Sequence, residues 1–84
     1  MGISKETLDL VKSIVAKNGE LDREISTVGL LDDLFNLGMS SRATVGVMLD
    51  IEETFDIAFP DEMISREVFE SIEAISKAVE TLKN

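Results

Sequence analysis

The sequence predicts an all-α fold, and three observations carry that expectation. The chain has 84 residues, is 44% hydrophobic but only 5% aromatic, and so must build its core from Leu, Ile, Val and Met around a few Phe residues, a helical palette more than a sheet one. Apolar residues recur at helical spacing in three separate segments. Serines stand where helices should begin, the commonest position for an oxygen that accepts from a first-turn N–H. At this length a single domain spanning residues 1–84 is expected, with room for one core and none for a cleft between domains.

Ser4 is placed to cap a first helix over about Lys5 to Lys17, with Glu6 and Asp9 near the positive end of its dipole. Leu8, Val11 and Val15, supported by Leu10 and Ile14, form its apolar stripe, and Asn18-Gly19 is expected to supply a left-handed stop. From Glu20 to Ser40 periodicity disappears, yet Leu21, Ile25, Val28, Leu30, Leu31, Leu34, Phe35 and Leu37 are spread along the segment. Disordered stretches are usually poor in such residues, so this long loop is expected to pack, with Leu34 and Phe35 pinning it ahead of a turn at Gly38.

The second helix should start at Ser40 or Ser41, run to about Asp56 and end before Pro60. Thr44, Val47, Met48, Ile51 and Phe55 make its core face. Val45 and Leu49 do not belong to that face: at about 100° per residue each lies roughly 200° from the core residue two positions on. Asp50, Glu52, Glu53 and Asp56 follow beside them. Ser65 is placed to cap a short third segment through Val68 or Phe69, and Ser71 a last helix carrying Ile72, Ile75, Val79 and Leu82 inward.

Several chemistries are excluded by what the chain contains. Seventeen acids against eight bases give a net charge of -9, the wrong sign for a nucleic-acid footprint and a good complement to a basic protein patch. With neither cysteine nor histidine present, there is no disulfide framework or thiolate zinc site, and Ser40 and Ser41 lack the usual base for nucleophilic catalysis. The alternation Asp50, Glu52, Thr54, Asp56 and Asp61 fails as a calcium loop, because Phe55 stands where glycine is needed and Asp61 where glutamate is expected. No metal site and no catalytic residue is expected. No secretory signal or membrane-spanning run is visible, so a cytoplasmic location off the membrane is the default expectation.

What is left is the stretch around the second helix. Ser40 alone could cap it, leaving Ser41 in the first turn with its hydroxyl outward, a position that suits an attached phosphate; capping by itself also explains the pair. Val45 and Leu49 are either isolated surface hydrophobes or, with acids below them, a contact patch.

The residues Leu34-Phe35-Asn36-Leu37-Gly38-Met39-Ser40-Ser41, then Val45, Val47-Met48-Leu49, Ile51-Glu52-Glu53-Thr54-Phe55-Asp56 and Phe59-Pro60-Asp61-Glu62, resemble the acyl and peptidyl carrier proteins. The resemblance covers nearly the whole chain and implies a four-helix bundle with a long loop between helices 1 and 2 and a short third helix. It also implies covalent 4'-phosphopantetheine, taken from coenzyme A, on the serine of a Gly-x-Asp-Ser-Leu motif. Laid gaplessly over this chain, that motif falls on Gly38 to Arg42 with the modified serine at Ser41; Ser40 replaces the usual Asp and Arg42 the usual Leu. These departures resemble the bacterial aminoacyl carrier proteins, which receive glycine or alanine from ligases related to seryl-tRNA synthetases. The implied partners are a phosphopantetheinyl transferase, such a ligase and a downstream acceptor enzyme, met by Ser40, Arg42, Val45, Leu49, Glu52, Glu53 and Asp56. A non-catalytic monomer is expected. Fatty acyl or polyketide cargo is the alternative, and an unmodified acidic helical adaptor the reading from a different class.

Overall fold

The computed structural model describes residues 2–83. They form four α-helices, α1 (Lys5–Asn18), α2 (Ser41–Phe55), α3 (Arg66–Phe69) and α4 (Ile72–Lys83), with short 3-10 turns at Ile25–Thr27 and Asp61–Met63. This is the expected bundle, 33 × 25 × 20 Å, in which α1 packs on both α2 and α4 and α3 packs on α4. No helix among the described residues is long and apolar enough to cross a membrane.

Helix α1 begins where the sequence placed it, with Ser4 Oγ accepting from Thr7 N–H at 3.1 Å. It buries Thr7, Val11, Ile14 and Val15. Leu8 is half-buried, whereas Leu10 is exposed, a correction to its supporting role: at about 100° per residue it sits on the opposite flank of the stripe from Leu8. The left-handed stop also falls elsewhere. Gly19 has φ −77°, and Glu20, with φ 56°, takes the left-handed conformation. What Gly19 provides is close approach: a Cβ there would lie 2.7 Å from Val15 O, the carbonyl to which Gly19 N–H donates. Gly38 does occupy positive φ, 112°, a conformation that only glycine adopts without strain.

The long segment packs as expected, and it does so through backbone as well as side chains. Val28, Leu34 and Met39 are buried, with Leu21, Ile25, Phe35 and Leu37 against the core. Leu34 N–H donates to Glu70 O at 2.8 Å and Glu73 N–H to Leu30 O at 3.0 Å, tying the loop to the α3–α4 junction. Leu30 and Leu31 are exceptions to the expected packing, Leu31 being 74% exposed.

Helix α2 buries Ala43, Val47 and Ile51. Thr44, Met48 and Phe55 are half-buried, so the face turns further toward Ala43 than the sequence suggested. Relative to Val47, Ala43 and Ile51 lie about 40° to either side, while Thr44, Phe55 and Met48 lie about 60° to 100° off on one shoulder. Thr44 Oγ1 donates back to Ser40 O at 2.8 Å. On the other shoulder Asp50 Oδ2 accepts from Asn18 Nδ2 at 2.8 Å, joining α2 to the end of α1. Asp56 closes the helix with φ 56°. Beyond it Phe59 is buried against Phe69, ring centroids 5.1 Å apart.

Ser65 Oγ accepts from Val68 N–H at 3.4 Å and Ser71 Oγ from Ala74 N–H at 3.0 Å, so both expected caps are present. Helix α4 buries Ile72, Ile75, Ser76, Ala78 and Val79, and Leu82 packs half-buried on the same core. Across the α1–α4 seam Thr7 Oγ1 donates to Glu80 Oε2, residues 73 apart in sequence. That hydrogen bond holds the Glu80 carboxyl below its ordinary pKa.

Candidate functional site

The two serines at the start of α2 have different surroundings. Ser40 is extended, φ −81° and ψ 168°, and its Oγ accepts from Ala43 N–H at 3.0 Å. It is the cap. Ser41 occupies the first helical position, is exposed, and among the described residues its Oγ makes no hydrogen bond. An unengaged hydroxyl at the positive end of a 15-residue helix fits a phosphodiester both sterically and electrostatically.

The other residues that the sequence singled out lie along α2. Val45 and Leu49 are 50% and 56% exposed on the side of α2 turned away from the core. Arg42 is exposed and makes no ion pair among the described residues. Glu53 and Asp56 are exposed near the far end. Glu52 differs from them: it is half-buried, and its Oε2 accepts from Phe59 N–H at 2.8 Å. Its carboxylate therefore holds the chain that leaves α2, in addition to any charge it offers a partner.

Tertiary structure adds residues that sequence reasoning missed. A cavity of about 240 Å³ opens beside Ser41, between Thr44, Val45 and Met48 of α2 and Ile64, Ser65, Arg66 and Phe69 around α3, with Phe35 of the long loop completing it. Ile64 is 48% exposed and extends the apolar surface of Val45. The Arg66 guanidinium lies over the Phe35 ring, 4.3 Å from its centroid, and reaches Asp33 at 4.0 Å. Ile64 lies in irregular chain with no helical phase, so nothing in its spacing signalled exposure. The Arg66–Phe35 stack joins segments that only the folded chain brings together.

Comparison with known proteins gives this arrangement a family. Residues 9–79 match the family model described as phosphopantetheine attachment site. The chain belongs to that family of carrier proteins. It is 43% identical over 72 residues, 86% of this chain and 87% of the relative, to an aminoacyl carrier protein of Agrobacterium fabrum. Among solved structures it is similar to the carrier protein of Agrobacterium tumefaciens in complex with an engineered Bradyrhizobium japonicum glycine:carrier protein ligase and ATP: TM-score 0.87 at 41% identity, covering 90% of this chain and 99% of that one. A holo acyl carrier protein of Nitrosomonas europaea superposes with TM-score 0.77 at 28% identity, covering 90% and 94% of the two chains. The prosthetic group of the family is covalent 4'-phosphopantetheine, and the free Ser41 hydroxyl beside an open groove suits it.

Proposed function

We propose that this carrier protein holds a small amino acid, of the glycine or alanine class, on 4'-phosphopantetheine attached to Ser41 Oγ, and presents it to partner enzymes without catalysing a reaction itself. The observation that carries the site is the division of labour in the serine pair. Ser40 is consumed as the cap, and Ser41 is left exposed with an unengaged hydroxyl at the end of α2. Capping alone explains one serine, which disfavours the unmodified adaptor. The prosthetic group supplies a thiol on a flexible arm, where cargo is held as a thioester; the lack of cysteine in the chain is then no obstacle. The amino acid cargo is supported by 43% identity to an aminoacyl carrier protein, and by the similarity to a carrier bound to a glycine:carrier protein ligase.

The chain's own residues orient and recruit. Val45 and Leu49 offer partners a pair of aliphatic side chains one turn apart, and Glu53 and Asp56 attract basic surfaces toward them. The partners are a phosphopantetheinyl transferase, an amino acid ligase and a downstream acceptor enzyme. Arg42 and Ser40, in place of the usual Leu and Asp, set the charge that the transferase meets.

Incubation with coenzyme A and a broad-specificity transferase tests the site by intact mass. Wild type and Ser40→Ala gain one phosphopantetheine, and Ser41→Ala gains none. Addition to Ser41→Ala, or a modified peptide mapping to Ser40, would overturn the assignment. Protein isolated from its own host should carry an aminoacyl thioester; an exclusively long-chain acyl load would establish the alternative cargo.

A further inference from the structure

The end of α1 carries the single Asn-Gly pair of the chain, Asn18-Gly19. Glycine stands there for a packing reason: its N–H donates to Val15 O at 2.7 Å, and a Cβ would crowd the same oxygen. With no side chain beside it, that nitrogen is also the least hindered amide for attack on the preceding side chain, and asparagine is a thermolabile residue. The packing that ends the helix therefore creates a reactive pair.

The fold restrains both reacting groups. The Asn18 amide has two N–H donors, and Nδ2 spends them on Ile14 O at 3.1 Å and on Asp50 Oδ2 at 2.8 Å. Gly19 is buried with its N–H engaged. Helix α2 closes the other side: one turn before Asp50, a Cβ on Gly46 would stand 3.7 Å from Asn18 Cβ.

We propose that Asn18-Gly19 is a spontaneous modification site, restrained while the end of α1 is closed and converted when it opens. In the open state a solvent base takes the Gly19 N–H proton and the nitrogen attacks Asn18 Cγ. The Cγ–Nδ2 bond breaks, and ammonia leaves with a proton from solvent. Water then opens the cyclic imide to aspartate or, through its other carbonyl, to isoaspartate; no oxidant or reductant takes part. Either product exchanges the amide donor for a carboxylate at the negative end of the α1 dipole, close to the like charge of Asp50. Conversion therefore loosens the contact between α1 and α2, the helix that carries Ser41.

Wild-type protein is incubated in mildly alkaline buffer, folded and in denaturant, and the peptide holding Asn18 is followed by mass. Asn36, which precedes leucine, serves as the internal comparison. Acid should replace the Asn18 amide at least roughly tenfold more slowly in the folded chain, the factor that a local opening of about 1.4 kcal/mol imposes. Equal rates in the two states overturn the restraint by the fold, and no conversion of Asn18 even in denaturant rejects the site. Asp50→Ala should speed conversion of the folded protein; an unchanged rate removes Asp50 from the restraint. Asn18→Asp supplies one product directly. Its urea midpoint should fall below that of wild type, and adding Asp50→Asn, which exchanges donor and acceptor, should recover most of the loss. An Asn18→Asp protein as stable as wild type would overturn the loosening of the α1–α2 contact.

Discussion

The seam between α1 and α4 and the outward side of α2 use the same aliphatic residue types in opposite ways. At the seam Val11, Val15, Ile72, Ile75 and Val79 are wholly buried, so each contributes to stability and none is available to a partner. On α2 Val45 and Leu49 stand half in water one turn apart. They contribute little to the fold and leave apolar surface in water. Polar groups follow the same division. Thr7 and Glu80 are spent on each other across the seam, while Ser41 and Arg42 have no partner within the described residues. On the proposed reading, the seam keeps the carrier rigid and the outward side of α2 is left for partners.

The strongest way to break this comparison is to truncate one residue of each kind. Ile75→Ala should cost about 2–5 kcal/mol of stability, read by chemical denaturation, whereas Leu49→Ala should stay within about 0.5 kcal/mol. Leu49→Ala should instead weaken ligase association by about 1–2 kcal/mol, roughly 5- to 30-fold. A Leu49→Ala protein that unfolds early but binds normally would reverse the assignment of the two surfaces.

Smaller effects sharpen it. Ser40→Ala should lower stability by about 1 kcal/mol through loss of the cap, and thermal unfolding of the apo protein checks this; a neutral outcome would mean that Ser40 is not the working cap. Ser76 probes the seam from the other direction. Its Oγ is buried without a hydrogen-bond partner, so Ser76→Ala should stabilise by about 1 kcal/mol. A loss of stability there would reveal an unseen partner.

The last effect is confined to acid. The hydrogen bond from Thr7 holds Glu80 below its ordinary pKa of 4.5, so the folded state favours the carboxylate. The sign follows: its contribution is fully present above about pH 4.5 and is lost as pH falls through the lowered folded value. Melting temperature measured against pH should therefore drop more steeply in acid for wild type than for Glu80→Gln. Parallel profiles would mean that the seam does not depend on that charge.

Helix starts were the most legible part of the molecule. Ser4, Ser40, Ser65 and Ser71 all act as caps where the sequence placed them, because a cap is a contact over three residues and needs no knowledge of the rest of the chain. The outward placement of Val45 and Leu49 was legible for a similar reason, since helical phase alone sends them away from Val47 and Ile51. Phase was less sharp at the edges of a stripe. Leu10 fell outside, Thr44, Met48 and Phe55 onto a half-buried shoulder and Ala43 inside, because the neighbouring helices decide how far a face is rotated. Gly19 was recognised as a stop for the wrong reason: its role is a tight approach to Val15 O, with Glu20 making the turn.

By itself, then, the sequence determined the helices, their caps and the two faces of α2, all of which rest on interactions within a few residues. Only tertiary structure decided that Glu52 ties down Phe59, that Thr7 meets Glu80, and that Phe35, Ile64 and Arg66 meet beside Ser41 to form a groove. Those arrangements depend on how the packed helices bring separate segments together. No periodicity along the chain encodes them.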